Sequence, residues 1–357
     1  MQPFDASTAT PNLSSGNKAH ARTTQRQRRS AAMPAPPTPL FGGLTQANHP
    51  LSRRHYRVAT AAIQEFVDLV ELCVRVMIPG ALIHARPRMG KTHAIEYLSL
   101  HLGRQRPDLL VLRLSCEHHR SAYEGPFFSA LLAAAGVRDP QPLTNAQKRF
   151  ALMRRLHEQL LLRKGHVVVL LCDEAQRLSK HGLEWLRDVH DQLAQQGYRM
   201  ITFLVGQLQL LEHKAHYQLS GDEQIVARFM IEQLQFRGIA DAADAATCLA
   251  SYDCSRYPED TGPTFTEFFL PLAWGGGLRL EQVGPTLWNA FVQAHAAAQL
   301  HGSVEIQMDY FTRVVESLLT QTPSWDSLSL ELTAAHCERA VRDSGYVAAQ
   351  QTVRAQA

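Results

Sequence analysis

A loop near residue 90 has the residue types and the spacing needed to hold phosphate groups. After a short apolar segment the chain reads Ala85-Arg86-Pro87-Arg88-Met89-Gly90-Lys91-Thr92, and a helix-forming segment follows. Backbone N–H groups of such a loop, together with the N-terminus of the helix, favour an anion. Lys91 can reach the β and γ phosphates of a nucleoside triphosphate, and the Thr92 hydroxyl can bind Mg²⁺. The pattern therefore predicts a phosphate-binding loop; the alternative is a chance Gly-Lys-Thr sequence at a helix start.

Ala85 is the one departure from this motif, which has glycine at its first position. Glycine is required only where the backbone angle φ is positive, so alanine is compatible with most geometries of such a loop. Gly90 keeps the place where the backbone must approach the phosphates closely.

Two adjacent carboxylates follow the longest apolar segment of the sequence. Residues 166–172 read His-Val-Val-Val-Leu-Leu-Cys, which predicts a buried strand, and Asp173 and Glu174 come directly after it. Such a strand can deliver Asp173 towards Mg²⁺, while Glu174 orients and deprotonates the water that attacks the γ phosphate. Acids in this position also occur at helix N-termini, where they favour the positive end of the helix dipole. With the loop upstream, the pair favours hydrolysis, with Lys91 and Glu174 as catalytic residues and Thr92 and Asp173 as metal ligands.

Three further residues are candidates for contact with a nucleotide. Gln207 ends another predicted strand, where it could touch the γ phosphate or be an ordinary loop residue. Arg228 could act on the nucleotide of a neighbouring subunit as a further catalytic group, or be a surface arginine. Arg279 starts a later helix and could sense the phosphates. The predicted nucleotide-binding residues are Ala85, Arg86, Pro87, Arg88, Met89, Gly90, Lys91, Thr92, His93, Asp173, Gln207 and Arg279.

Apolar strands that alternate with helices would bring these residues together. We predict strands over 81–85, 109–114, 166–172 and 200–205, and helices over 53–77, 92–102, 127–135, 145–163 and 183–196. Strands that are apolar throughout are typical of a parallel sheet covered on both faces, so the fold class is α/β. After Gly238 the helical segments 240–252, 264–273, 279–300 and 307–320 predict a smaller all-helical domain.

Composition and charge exclude several classes of protein. With 45% hydrophobic and 19% charged residues among 357, the chain is not disordered as a whole. No apolar segment approaches the roughly 20 residues that span a membrane, and six scattered cysteines indicate a reducing compartment, so we expect a cytoplasmic protein. Five basic side chains lie in the first 40 residues and the remainder is close to neutral, so any contact with nucleic acid needs a local basic patch or this arm.

The predicted organisation has four parts. Residues 1–40 are a disordered basic arm, because their composition cannot bury enough apolar surface to fold. Residues 41–238 form the nucleotide-binding core and residues 239–322 a helical lid. Residues 323–357 form a C-terminal tail on which a partner could dock.

The motifs, in their order along the chain, resemble those of the AAA+ ATPases. In detail they resemble those of the TniB/TnsC-type regulators of DNA transposition. The resemblance covers about residues 45–320. Its finer cues are the short helical lid, His49-Pro50-Leu51 and Tyr56 ahead of the first helix, and the run from Leu171 to Leu178 that contains Asp173-Glu174-Ala175-Gln176-Arg177.

The resemblance implies a P-loop NTPase core that uses ATP and Mg²⁺. It implies a ring or a helical filament of several copies on duplex DNA, which links target selection to transposase recruitment and disassembles on ATP hydrolysis. The implied partners are duplex DNA, further copies of the chain, a transposase and a target-selector protein, with no membrane. The candidate DNA contacts are His119, Arg120, Lys148, Arg149, Arg154 and Arg155, although charges on a helix are more often a solvated face.

Two other functions remain open from the sequence. One is an AAA+ ATPase that acts on protein, as a switch or a secretion-type ATPase. The other is an AAA+ ATPase like the helicase loaders, for which a preference for single-stranded DNA would be expected.

Overall fold

Five parallel strands form the centre of the protein in the computed structural model, which describes residues 44–117, 123–137, 143–321 and 323–355. In the order β2-β3-β4-β1-β5, each strand is hydrogen-bonded to its neighbours in parallel register. The strands are β1 Gly80–His84, β2 Leu110–Ser115, β3 Val167–Asp173, β4 Arg199–Gly206 and β5 Glu232–Gln235. The four strands predicted from apolar segments are confirmed to within one residue at each end.

Strand β5 was not predicted, and its place at the edge of the sheet explains why. It pairs only with β1, and its residues Glu-Gln-Leu-Gln alternate between half-buried and exposed positions. A strand with one neighbour and few apolar residues does not produce the continuous apolar segment that marks the central strands.

Helices cover both faces of the sheet. On one face α1 and α2 pack against alternate strand residues such as Val169 and Phe203, and on the other α3 to α7 pack against residues such as Val168 and Leu170. The helices are α1 Ala61–Val76, α2 Lys91–Gln105, α3 Glu124–Ala134, α4 Asn145–Arg163, α5 Lys180–Gln195, α6 Gln209–Leu219 and α7 Glu223–Phe229. This three-layer α/β arrangement confirms the predicted fold class.

The first helix begins eight residues later than predicted. Thr60 caps α1, because its hydroxyl accepts a hydrogen bond from the N–H of Ile63 at 3.2 Å. Residues 49–60 ahead of it form turns and extended chain, and Arg54 has a φ of 51°. Val58, which fits a helical pattern in the sequence, instead packs with the C-terminal helices.

The C-terminal part is helical, as predicted, and its elements share one hydrophobic core. They are α8 Ala242–Cys254, α9 Phe265–Phe269, α10 Pro271–Gly275, α11 Gly284–Ala297, α12 Met308–Gln321, α13 Ala334–Asp343 and α14 Tyr346–Ala355. The predicted helix 264–273 is divided because Leu270 leaves the helical conformation before Pro271. Cys337 and Tyr346 are buried with Phe291 and Phe311, so the described part of 323–355 packs into the lid rather than extending from it as a tail.

The predicted N-terminal arm, residues 1–40, lies outside the described residues. Among the described residues, none of the helices has the length and apolar character that crossing a membrane requires.

His49 anchors the segment before α1 to the lid. It is fully buried, and its ring lies 4.5 to 5.2 Å from the ring centroids of Tyr257, Phe265, Phe268 and Phe269. Its Nδ1 accepts a hydrogen bond from the N–H of Leu51 at 3.2 Å, and its buried Nε2 has no partner. Burial lowers the pKa of His49 from 6.5 to about 4, so the folded protein holds this imidazole neutral.

We expect this histidine to make stability depend on pH. Because the pKa in the folded state is lowered, the unfolded chain binds the extra proton as the pH falls from 6.5 towards 4, and stability is lost over that range. Between pH 7.5 and 5 the loss from this group is about 2 kcal/mol. Urea unfolding at the two pH values should show a smaller loss for His49→Asn than for the wild type. The control is His55→Asn, at an exposed histidine; equal losses in all three proteins would contradict the role of His49.

Candidate active site

The phosphate-binding loop lies between β1 and α2, at the edge of the sheet where the strands end. Met89 is buried and fixes the loop, whereas residues 86–88 are exposed. Gly90 has a φ of 95°, which explains the glycine, and the only other residue of the loop with positive φ is Arg88, at 66°. Ala85 does not have positive φ, so alanine is compatible with its place in the motif.

Lys91 points back into this loop. Only 7% of it is exposed, and its Nζ donates to the carbonyl oxygens of Arg86 at 3.1 Å and Ala85 at 3.4 Å. Burial lowers the pKa of Lys91, and the charges of Glu174 and Asp173 act in the opposite direction. The Lys91 ammonium group is therefore placed so that phosphate oxygens in the loop could replace its two carbonyl partners.

Thr92 and Asp173 meet across the sheet. The Thr92 hydroxyl donates to Oδ2 of Asp173 at 2.7 Å, which joins the start of α2 to the end of β3. Two hard oxygen ligands side by side fit Mg²⁺, which binds few protein groups and completes its shell with phosphates and water. No group of three or more histidine, cysteine or acidic side chains suited to a metal occurs among the described residues.

Glu174 and Gln207 lie together on the same edge. The Gln207 amide nitrogen is 3.5 Å from Oε2 of Glu174, and both residues line the cavity that also contains Lys91 and Thr92. Glu174 has a φ of 52°, and its own N–H donates to Oδ1 of Asp173 at 2.9 Å. Sequence reasoning gave no role to Gln176 and Arg177, whose side chains also contact Glu174.

The cavity has a volume of about 450 Å³ and extends from the loop to the lid. Tyr56, Val58, Ile63 and Phe236 give it an apolar end that suits a nucleotide base. The lid closes it with one face of α12, through the residues Met308, Asp309, Thr312 and Glu316.

A series of hydrogen-bonded polar side chains lies beside the apolar end of the cavity. The Tyr56 hydroxyl donates to Glu316 at 3.0 Å and lies 3.0 Å from the Tyr252 hydroxyl, while Arg54 pairs with the other oxygen of Glu316 at 3.0 Å. Burial raises the pKa of Glu316, and its bonds to Tyr56 and Arg54 oppose that shift. The segment before α1 is thereby attached to the lid beside the cavity.

Arg88 connects the phosphate-binding loop directly to α12. Its guanidinium donates to the Tyr310 hydroxyl at 2.6 Å and lies 3.7 Å from the Asp309 carboxylate. The N–H of Asp309 is in turn 3.4 Å from the Arg88 carbonyl oxygen.

Arg279 and Arg228 lie elsewhere. The Arg279 guanidinium stacks on Trp274 at 3.5 Å and donates to the carbonyl oxygens of Trp274 and Leu278, and it does not line the cavity. The lid residues at the cavity come from α12 instead. Arg228 pairs with Asp191 at 2.8 Å, and its carbonyl oxygen packs against Gly80 at the opposite end of β1.

The candidate DNA contacts on α4 all have partners within the chain. Lys148 donates to the carbonyl oxygen of Gly125 at 3.2 Å and Arg155 to that of Ala135 at 3.1 Å. Arg149 pairs with Glu124 at 2.6 Å. Arg154 is 69% exposed, the most of the four, and lies 3.4 Å from Glu158. The remaining two candidates, His119 and Arg120, lie outside the described residues.

Comparison with known proteins identifies the domain that carries this site. The family model of the AAA domain matches residues 80–213, from β1 into α6. No curated protein sequence matches the chain.

Two solved structures of one archaeal protein share the fold. The ORC2 protein of Aeropyrum pernix as ADPNP–ADP complexes has a TM-score of 0.55 and 10% identity, over 83% of this chain and 71% of that one. Its ADP form has a TM-score of 0.51 and 13% identity, over 83% and 72% of the two chains. Residues 80–213 therefore form an AAA domain, and the chain has the AAA+ P-loop NTPase fold.

Proposed function

We propose that this chain is a Mg²⁺-dependent ATPase that assembles on duplex DNA and regulates DNA transposition. The observation that carries the ATPase activity is the hydrogen bond between Thr92 and Asp173, beside the buried Lys91. It brings the phosphate-binding loop and the acidic end of β3 to one point. The ORC2 protein that shares the fold was solved with ADPNP and ADP, which supports a nucleotide as the ligand of the cavity.

The residues that line the cavity support one orientation of the proposed nucleotide. The phosphates lie along residues 85–92, where Lys91 exchanges its two carbonyl partners for phosphate oxygens. The base lies at the apolar end, near Tyr56 and Phe236. Thr92 and Asp173 hold Mg²⁺, which when bound neutralises negative charge on the phosphates.

Glu174 is the general base for hydrolysis. It takes a proton from water, and the water oxygen forms a bond to the γ phosphorus while the bond from that phosphorus to the bridging oxygen breaks. The bond's electron pair leaves with ADP, so the products are ADP and inorganic phosphate. Gln207, close to the Glu174 carboxylate, is placed to contact the γ phosphate.

The role in transposition rests on the resemblance of the motifs to the TniB/TnsC-type regulators. Such proteins contact DNA through its phosphates rather than its bases, so in a folded part that is close to neutral the contact needs a local basic patch. Among the four α4 candidates, Arg154 is the most exposed and therefore the best placed for a phosphate contact. Arg228 is proposed to reach the nucleotide of a neighbouring copy, and a transposase and a target selector are the proposed partners.

Lys91→Ala should abolish ATP binding. The variant loses charge-assisted hydrogen bonds to phosphates, each of which contributes about 1.5–3 kcal/mol, so affinity falls about a hundredfold or more. Calorimetric titration with ATP measures it. Arg104→Ala, at the exposed end of the same helix, is the matched control and should bind as the wild type does. Retained affinity in Lys91→Ala would show that the loop does not hold the phosphates.

Glu174→Gln should bind ATP normally and hydrolyse it about 10² to 10⁴ times more slowly, since the base is removed and the fold is not. Phosphate release measures turnover, and light scattering should show stable oligomers that persist with ATP. Glu212→Gln, on the exposed side of α6, provides the control. Normal turnover in Glu174→Gln would exclude Glu174 as the base.

Electron microscopy with duplex DNA tests the DNA part of the proposal. We expect ordered rings or filaments with a slowly hydrolysed ATP analogue and none with ADP, and Arg228→Ala should lose them while it still binds ATP. If no DNA-dependent assembly forms in either state, a protein-directed AAA+ switch replaces the proposal. Assembly only on single-stranded DNA would favour a function like that of the helicase loaders.

A further inference from the structure

The carboxylate of Glu174 is contacted by three side-chain donors, and Gln176 makes the shortest contact. Gln176 Nε2 donates to Oε2 of Glu174 at 2.7 Å. Arg177 approaches the same oxygen at 3.4 Å and Gln207 at 3.5 Å. The orientation of the proposed base therefore depends mainly on an amide two residues further along the chain.

The oxygen of the Gln176 amide also makes a hydrogen bond. Oε1 of Gln176 accepts a hydrogen bond from the backbone N–H of Gln207 at 3.1 Å. A primary amide is a neutral side-chain group that donates from its nitrogen and accepts at its oxygen. Gln176 thus connects the Glu174 carboxylate, after β3, to the backbone N–H of Gln207, after β4. Gln207 is the residue proposed to contact the γ phosphate.

Gly206, the last residue of β4, leaves room for this bridge. A Cβ built on Gly206 would lie 2.3 Å from Oε1 of Gln176, 2.8 Å from a methyl group of Leu210 and 3.2 Å from the backbone nitrogen of Gln176. The two closest atoms are at the ends of flexible side chains, so an alanine here would displace the Gln176 amide before any other group.

We propose that Gln176 is a positioning residue that fixes the Glu174 carboxylate relative to Gln207, in the space that Gly206 leaves free. The inference rests on the proposed hydrolysis of ATP and adds to it how the base is held. Gln176 does not itself line the nucleotide cavity, whereas Glu174 and Gln207 do. Its loss therefore alters the orientation of the base without removing a contact to the nucleotide.

Arg177 is a competing partner of the Glu174 carboxylate. While one nitrogen of its guanidinium faces Glu174, another donates to the carbonyl oxygen of Cys116 at 3.4 Å. Arg177 and Cys116 line a second cavity, of about 410 Å³. Without Gln176, Arg177 is the closest remaining side-chain donor to the carboxylate, and it does not line the nucleotide cavity.

The test compares kcat and KM for ATP in two variants that disturb the bridge in different ways. Gln176→Met keeps an unbranched side chain of similar length and removes both hydrogen bonds. Gly206→Ala keeps the amide and displaces it. In both we expect kcat to fall about ten- to a hundredfold, less than the loss of the base itself would cause, and KM to change less than about twofold. Gln195→Met, at an exposed glutamine of α5, is the matched control and should leave both constants unchanged.

A combined variant shows whether the two positions act through one group. Gln176→Ala removes the amide, so adding Gly206→Ala should lower kcat no further, and the two effects should be non-additive. ATP titration and thermal unfolding confirm that each variant binds nucleotide and is folded.

The outcomes separate the two proposals. Wild-type kcat in folded Gln176→Met and Gly206→Ala would overturn the role of Gln176 and leave the ATPase intact. A parallel rise in KM would overturn it as well, since that result assigns Gln176 to nucleotide binding. If the wild-type chain itself does not hydrolyse ATP, the proposed function fails first, and the inference fails with it.

Discussion

The hydrogen bond between Thr92 and Asp173 depends on three strands that end at one edge of the sheet. β1 and β3 are not neighbours, because β4 lies between them. The contact of 2.7 Å is possible since all three strands are parallel, so the residues that follow them emerge on the same side. The middle strand ends in Gly206, whose missing side chain leaves the space between the two motifs that Gln176 occupies. Parallel order and one small residue together determine the geometry of the candidate active site.

The apolar end of the cavity has a different origin, because the chain closes it with segments distant in sequence. The segment before α1 supplies Tyr56, and α12 of the lid supplies Glu316, to which Tyr56 is hydrogen-bonded. His49 packs the same segment among lid aromatic rings. A nucleotide base in this cavity would contact groups from both parts of the chain, so its binding stabilises their association.

The extent to which this structure follows from its sequence differs between elements for physical reasons. The central strands and the motif residues at their ends were predictable, since a strand buried on both faces must be apolar and the chemistry follows directly after it. β5 was not, because an edge strand needs few apolar residues. The start of α1 was misplaced because Val58 fits a helical spacing although it packs on the lid. Arg279 has the position in sequence expected of a phosphate sensor, yet its guanidinium stacks on Trp274, and only tertiary packing decides that α12 faces the cavity.

The loop and the lid are in direct contact, and this makes the phosphate site and the position of the lid interdependent. Met308 packs beside Gly90, where a built Cβ would lie 3.6 Å from it, and Arg88 contacts Tyr310 and Asp309 at the start of α12. Asp309 is a negative group held beside a loop whose backbone favours anions, so phosphates that enter the loop repel Asp309 while they attract Arg88. Binding of a nucleotide would therefore change the balance of charge at the junction with the lid. The residues proposed to bind phosphate are in this way placed to transmit its presence to the helical region.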